Sequence, residues 1–329
     1  MEIEFSGAAR EVTGSCHILR IGDRTVLLDC GLFQGHRRES RDKNLKLPCS
    51  VDEIDAVVLS HAHIDHAGRL PVLARAGYRG TIYCTPATRD LSAIMLADSA
   101  FIQEKDAEFL ARQRKEHVDP LYDLGDATAA VEQMVSIPYH KPFDAIPGVR
   151  VTYMDAGHIL GSASVVLECT DGAVTKRLIF SADIGRRGLP IIRDPEPPAG
   201  DADAVIMEST YGDREHPPVE DMRERLATIV RETAARGGRV LIPAFAVGRT
   251  QEIVYDLHAL ARARKIPSIP IYIDSPLAID ATSVFAMHLD IFDRGEDMVQ
   301  TVRPNQGAYY TTSPTVRRIR EAQSSSLGS

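Results

Sequence analysis

The apolar run Asp55–Ser60 leads directly into His61-Ala62-His63-Ile64-Asp65-His66. Three imidazoles and a carboxylate in so short a span are costly to gather without a compensating partner. Neutral imidazole and ionised carboxylate are the donors that zinc and similar cations take, and a bound cation offsets their crowding. A loop at the C-terminal end of a strand aims alternate side chains alike. His61 and His63 are therefore expected at one point, and Asp65 and His66 at a second. A chain with this segment must end a buried strand beside other loops that complete the ligand sets.

Three residues elsewhere stand where such loops are needed. Asp29 closes the apolar run Val26–Leu28 and precedes Cys30-Gly31, a place for a carboxylate that supports a ligand rather than binding the ion. His158 lies in Asp155-Ala-Gly-His158-Ile-Leu-Gly161, between glycines that permit close backbone approach. Asp183, in Phe180-Ser-Ala-Asp183-Ile-Gly185, ends another apolar run, where a carboxylate could bridge two cations.

Short apolar runs bounded by Gly, Asp or Pro predict strands at Cys16–Ile21, Thr25–Asp29, Asp55–Ser60, Thr81–Cys84, Val149–Tyr153, Ser164–Cys169, Lys176–Ser181, Ala204–Glu208, Arg239–Ile242 and Ile269–Ile273. Helical periodicity covers Arg89–Arg114, Val219–Arg236, Thr250–Arg264 and Ala278–His288. Asp23–Arg24 and Asp171–Gly172 predict hairpin turns. Up to about Ile184 strands dominate. From about Asp203 to Ser275 strand and helix alternate, which predicts parallel βαβ units. The stretch 194–201, rich in Pro, reads as a linker or long loop between the two styles, and the tail 319–329 as disordered.

Composition narrows the class. With 38 Lys+Arg against 46 Asp+Glu, the net charge is −8, which argues against gripping nucleic acid by overall charge while leaving room for a local basic groove. No apolar run reaches the ~18–20 residues that span a bilayer, so no membrane partner is expected. The five scattered cysteines form no Cys-x-x-Cys pattern and suit reduced thiols in a cytoplasmic protein.

Together these residues resemble the metallo-β-lactamase superfamily. In it a His-x-His-x-Asp-His segment, a later His and a later Asp bind two metals at the rim of an αββα sandwich. The positions that match are His61, His63, Asp65, His66, His158 and Asp183, with Asp29 as the supporting acidic residue. The second half is similar to the β-CASP nucleases, whose extra α/β domain is inserted into the metallo-β-lactamase domain. Glu208 in Ile206-Met-Glu208-Ser-Thr-Tyr-Gly212, Pro243–Glu252 and Tyr272–Ala278 carry that likeness, with Gly31–Gly35 and Cys84–Thr88.

The resemblance implies an α/β (α+β sandwich) fold: a metallo-β-lactamase domain over 1–202 and a partial β-CASP domain over 203–318. It implies a zinc-dependent phosphodiester hydrolase acting on single-stranded RNA through a metal-bridged hydroxide, with two Zn2+ per intact site. His61, His63 and His158 would hold one ion, and Asp65 and His66 the other, with Asp183 between them. Asp65, Asp183 and Glu208 are the expected catalytic carboxylates. Full-length members supply two more histidines from a returning segment. No histidine follows His288, so the chain is expected to be an incomplete member. A small-substrate hydrolase of the same superfamily, or an inactive metal- or nucleic-acid-binding fragment, are the alternatives, and a homodimer is left open.

Arg249 and Thr250, after Gly248 at a helix start, and Arg186, after the Asp183 loop, are candidate RNA phosphate contacts. Arg37, Arg38, Arg41 and Lys43 read as a solvated face.

Overall fold

The computed structural model describes residues 1–114, 118–292 and 308–309. It divides into two compact units. The first takes in Met1–Arg186 and Asp194–Thr210, and the second Arg187–Arg193 and the residues from Tyr211 onward.

Two sheets make the first unit. One runs β1 (Glu2–Phe5), β2 (His17–Ile21), β3 (Arg24–Leu28), β4 (Ala56–Val58), β5 (Thr81–Cys84) and β6 (Met134–Ser136), in that order across the sheet. β1 to β3 form antiparallel pairs and β3 to β6 parallel ones. The other sheet has the order β11 (Ala204–Ile206), β10 (Val174–Phe180), β9 (Ala163–Asp171), β8 (Val149–Asp155), β7 (Phe143–Ile146). It is antiparallel except where β11 lies parallel to β10.

The alternation of side chains along each strand dictates how the layers stack. Leu19, Val26, Leu28, Ala56 and Val58 of the first sheet share a core with Val149, Val151, Val165, Leu167 and Phe180 of the second. The opposite side chains of the first sheet, among them Ile18, Leu27, Val57 and Ile82, pack with helical residues such as Leu70, Leu73, Leu96 and Ala127. Strands buried on both faces read as continuous apolar runs, which is why β3 to β5 were conspicuous in the sequence.

The helices of this unit are α1 (Arg37–Leu45), α2 (Ile64–Ala67), α3 (Leu70–Arg75), α4 (Pro86–Arg114) and α5 (Leu124–Glu132). α4 begins before the expected Arg89. Pro86 fits the first turn, and Thr85 Oγ1 accepts from the Thr88 N–H at 3.2 Å, an N-cap. α1 covers the basic run read as a solvated face. Its Lys43 pairs with Glu11 at 2.9 Å, and its Arg37 stands 3.8 Å from Asp106. The stretch 194–201 is tied to the first unit: the Glu196 N–H donates to Asp155 O, and the Arg177 guanidinium to the carbonyls of Ala199 and Asp201. β11, expected to open a βαβ series, instead adds to the sandwich, so the first unit runs on past residue 202 to Thr210.

The second unit holds α6 (Val219–Ala235), α7 (Arg249–Arg262), β12 (Ile271–Tyr272), α8 (Pro276–Met287) and β13 (Ala308–Tyr309), with β12 and β13 parallel. Its core groups Ala227 and Val230 of α6 with Leu257 and Leu260 of α7. The expected strand Arg239–Ile242 does not form. No ladder partner pairs with it among the described residues, and Leu241 is 93% exposed. The tail 319–329 lies outside the described residues.

Candidate metal centre

Four chain reversals at strand ends of the first unit converge. After β3, Asp29 adopts a left-handed φ of 60°, and its N–H donates to Val58 O at 3.0 Å. A non-glycine residue there is strained by about 1–3 kcal/mol, so the surroundings must hold it. The next residues run against the α2 turn: the Cys30 N–H donates to His66 O and the Leu32 N–H to Ile64 O. Gly31 is required at this approach, because a Cβ there would lie 1.6 Å from Asp65 O.

β4 delivers Ser60 and His61, and the Ala163 N–H at the head of β9 donates to Ser60 O, joining the sheets at the site. The loop after β8 is tied by its own side chains. Ser162 Oγ accepts from the N–H groups of His158 and Ile159, each at 3.1 Å. After β10, Ala182 has a φ of 48°, and the Gly185 N–H donates to Ala156 O at 2.8 Å. The 181–185 turn is thereby seated on the His158 loop.

The donors of these loops face one another. His63 Nδ1 lies 3.2 Å from His61 Nε2 and 3.2 Å from His158 Nε2. Asp183 Oδ2 lies 3.7 Å from His61 Nε2 and 3.4 Å from His158 Nε2. All four atoms fall within 4.8 Å of one another. Tetrahedral bonds of ~2.0–2.1 Å to one ion place donors about 3.3 Å apart, so the set fits a single cation. Asp183 turns its other oxygen, Oδ1, to His66 Nε2 at 3.2 Å, and Asp65 Oδ2 stands 3.9 Å from the same nitrogen. One carboxylate thus divides its oxygens between two donor groups.

Behind these donors sits Asp29, fully buried. It accepts from Ser15 Oγ (3.1 Å), Ser60 Oγ (3.0 Å), the Ser60 N–H (2.8 Å) and His66 Nδ1 (2.7 Å). Ser60 Oγ also meets His61 Nδ1 at 3.0 Å.

Electrostatics separate the histidines. Burial, helped by neighbouring imidazoles, holds His61 well below the usual imidazole range and brings His63 to about 3. Burial likewise lowers His158. These three are neutral at pH 7, the form that binds a metal. For His66 burial works downward too, but Asp29 and Asp183 outweigh it and raise its pKa well above the usual value. Burial would raise Asp183, yet the hydrogen bond and charge of His66 hold it down at about 2. Without a cation, the His66 proton is the positive charge that reconciles the two carboxylates. Burial raises Asp65. The Asp65, His158 and Asp183 side chains keep 23%, 26% and 27% of their exposure while His61 keeps none, so the site opens on their side.

The other expected site residues have different surroundings. Glu208, read as catalytic, accepts from the Ile184 N–H at 2.7 Å, a contact that fixes the backbone beside Asp183. Arg186 follows the same turn. Arg249 and Thr250 open α7 in the second unit with local partners: Arg249 pairs with Glu252 at 2.9 Å, and Thr250 Oγ1 donates to Phe245 O at 2.7 Å. The Gly248 N–H donates to Gln251 Oε1, which corresponds to a helix cap. Ser15, Ser60 and Ser162, with Gly185, have no role in the sequence reading. Single serines and glycines carry no pattern. The one available signal was the position of Ser60, directly before His61.

Comparison with known proteins agrees with this geometry. Residues 9–215 match the family model of the metallo-beta-lactamase superfamily, and residues 250–327 that of the Beta-Casp domain. The chain is 40% identical over 288 residues to a Thermus thermophilus protein named ribonuclease TTHA0252, covering 87% of this chain and 61% of that one. It is 32% identical over 286 residues to the transcription termination factor FttA of Methanosarcina mazei, covering 86% of this chain and 43% of that one. It is 31% identical over 292 residues to cleavage and polyadenylation specificity factor 73 of Drosophila melanogaster, covering 88% and 40%. The chain thus spans between 40% and 61% of the length of these relatives. No helix among the described residues is long and apolar enough to cross a membrane.

Proposed function

The chain belongs to the metallo-β-lactamase superfamily, with a Beta-Casp domain in its second half, and on that premise we propose that it is a zinc-dependent phosphodiester hydrolase acting on single-stranded RNA. The observation that carries the reading is the split carboxylate of Asp183, one oxygen toward His61 and His158 and the other toward His66. The relatives named ribonuclease and cleavage and polyadenylation specificity factor support RNA as the substrate class.

His61, His63 and His158 would hold one ion and Asp65 with His66 the second, Asp183 serving both. Zinc suits the imidazole-rich set. When bound, two ions supply a water acidic enough to ionise near neutral pH and positive charge for the phosphoryl oxygens. Asp65, raised by burial and partly open to solvent, would orient or accept the proton of the attacking water. Glu208 keeps the Asp183 turn in place through the Ile184 N–H. Arg186, and Arg249 with Thr250, are the proposed phosphate contacts. All five cysteines are free thiols, four of them buried, which supports a reducing, cytoplasmic setting.

The test is zinc per chain by elemental analysis of protein purified without chelator, with cleavage of an end-labelled single-stranded RNA and light scattering for oligomeric state. Two zinc ions per chain and RNA cleavage that disappears in both His63→Ala and Asp183→Ala support the proposal. Bound zinc with hydrolysis of a small thioester and none of RNA gives the site to a small-substrate hydrolase. Bound zinc with neither activity, or cleavage retained in both variants, refutes the assignment.

A further inference from the structure

Asp29 is linked by hydrogen bonds to a histidine in each half of the donor set, and it reaches the two by different routes. His66 is met directly through Nδ1 at 2.7 Å. His61 is met through one intermediate atom, Ser60 Oγ, which lies 3.0 Å from Asp29 Oδ2 and 3.0 Å from His61 Nδ1. Ser60 and His61 are both 0% exposed, so no bulk water competes for these positions.

The direction of each bond follows from proton counting. Four donors converge on the Asp29 carboxylate, which therefore only accepts. A serine hydroxyl has a single proton to give and lone pairs to receive with. If that proton goes to Asp29, Ser60 Oγ can only accept from His61, and the imidazole proton must sit on Nδ1. The lone pair of His61 is then on Nε2, the atom 3.2 Å from His63 Nδ1 and 3.7 Å from Asp183 Oδ2. The backbone secures the relay as well, because the Ser60 N–H donates to the other Asp29 oxygen at 2.8 Å and fixes how the hydroxyl is presented.

We propose that Ser60 is a positioning residue that transmits the acceptor character of Asp29 to His61 and so fixes the His61 tautomer required for metal binding. One buried carboxylate then sets two imidazoles, one on each side of Asp183: His66 by contact and His61 through the Ser60 hydroxyl. The inference rests on reading the site as a dinuclear centre. It adds a residue that acts on a ligand without touching the metal or the substrate. Partners of this kind, which orient a ligating histidine, are worth roughly 10–100-fold in metal affinity. Ser15, the other hydroxyl on Asp29, has no hydrogen bond to a histidine among those described, which makes it the natural control.

The experiment compares Ser60→Ala, Ser60→Thr and Ser15→Ala by two readouts that need no catalysis. The first is the tautomer of each site histidine from long-range nitrogen–proton correlation spectra of 15N-histidine-labelled protein stripped with chelator. The second is the pair of zinc dissociation constants from competition with a chromophoric chelator. Ser60→Ala is expected to lose the pure Nδ1–H pattern of His61 and to weaken the first zinc about 10–100-fold. The second zinc should change far less, since Asp29 still holds His66 directly. Ser60→Thr keeps the hydroxyl and is expected to retain both the tautomer and the affinity. Ser15→Ala should leave the His61 pattern intact.

An unchanged His61 tautomer in Ser60→Ala overturns the proposal. So does a first-zinc affinity that falls equally in Ser60→Thr and Ser60→Ala, because packing and not the hydroxyl would then be responsible. Failure of the wild-type chain to bind zinc at all would sink the dinuclear reading, while the tautomer spectra of the stripped protein would still decide the relay.

Discussion

Replacing Gly185 by Ala should dismantle the first ligand set without touching a ligand. A Cβ on Gly185 would lie 1.5 Å from Gly157 O and 2.7 Å from the His158 nitrogen. Both neighbours are backbone, so no side chain can swing aside. The Asp183 turn and the His158 loop would have to part by roughly 1.5 Å to restore a tolerable contact, a backbone shift of the kind that costs about 1–3 kcal/mol in a packed site. That parting also strains the Gly185 N–H bond to Ala156 O. It carries Asp183 Oδ2 from its present 3.4 Å toward about 5 Å from His158 Nε2. Two bonds of ~2.1 Å to one ion span at most about 4.2 Å, so His158 and Asp183 could no longer share a cation. The expected result is a folded protein whose thermal midpoint falls by several degrees and whose first zinc binds at least about 100-fold more weakly. Zinc competition with a chromophoric chelator reads the affinity, and circular dichroism confirms the fold. Wild-type zinc affinity in a folded Gly185→Ala protein would refute the claim that these two turns are held together for the metal.

Three further outcomes follow from the same geometry. Asp29→Asn leaves one oxygen for the Ser60 N–H but puts an amide nitrogen, a donor, against His66 Nδ1; metal affinity at the His66 side should fall about 10–100-fold by competition titration, and an unaltered second dissociation constant would contradict it. In the metal-free protein, burial lowers the folded pKa of His63 to about 3 while the unfolded value is near 6.5. The unfolded chain thus binds the extra proton between those values, so stability should fall as pH drops from about 6.5 toward 3, by up to roughly 1.4 kcal/mol per unit from this group. Urea midpoints of chelated protein at several pH values test this, and a midpoint flat across that window would count against a buried neutral His63. Arg249→Ala should weaken binding of labelled single-stranded RNA several-fold and flatten its salt dependence while zinc content stays constant; unchanged affinity would leave Arg249 as the partner of Glu252 and nothing more.

The sequence showed most where chemistry and burial coincide. The segment His61–His66 was legible because so many donors in a row have no other use, and β3 and β4 because both of their faces are apolar. Asp183 and His158 were legible as residues that follow apolar runs, in segments that hold glycines. What escaped were features whose cause lies far along the chain. β1 and β6 are four and three residues long and owe their form to the neighbour they pair with. α1 has no apolar stripe, and its order comes from contacts such as Asn44 with the Phe33 backbone. α5 is opened by a reciprocal pair, Asp123 and Asp126, in place of the more familiar Ser or Thr with Glu. The apolar run Arg239–Ile242 has strand composition, but composition does not supply a ladder partner. Ser15 lies fourteen residues from Asp29 in the chain, and Ser162 gained its role only when the loop closed on it.

The order of events in building the site can be argued from where its strain is kept. The two non-glycine residues with left-handed backbone beside the ligands, Asp29 and Ala182, sit directly after β3 and two residues after β10, one strand in each sheet. Neither conformation is favourable locally, and each is held by bonds from other strands and loops: Asp29 by Val58 O and by the donors around its carboxylate, and the Ala182 turn by Ala156 O through Gly185. The sandwich core must therefore be in place before these turns are stable. The apolar layers Leu19, Val26, Leu28, Val151, Val165 and Leu167 supply that frame without any help from a cation. In the metal-free site His66 faces Asp29 through Nδ1 and Asp183 through Nε2, and the two carboxylates favour a proton on each nitrogen. A cation entering at the His66 side must displace the Nε2 proton, whereas one entering among His61, His63 and His158 meets imidazoles already neutral. The imidazoles of the first set are thus ready to bind, whereas His66 must first give up its Nε2 proton, so metal uptake at the His66 side should carry the steeper pH dependence.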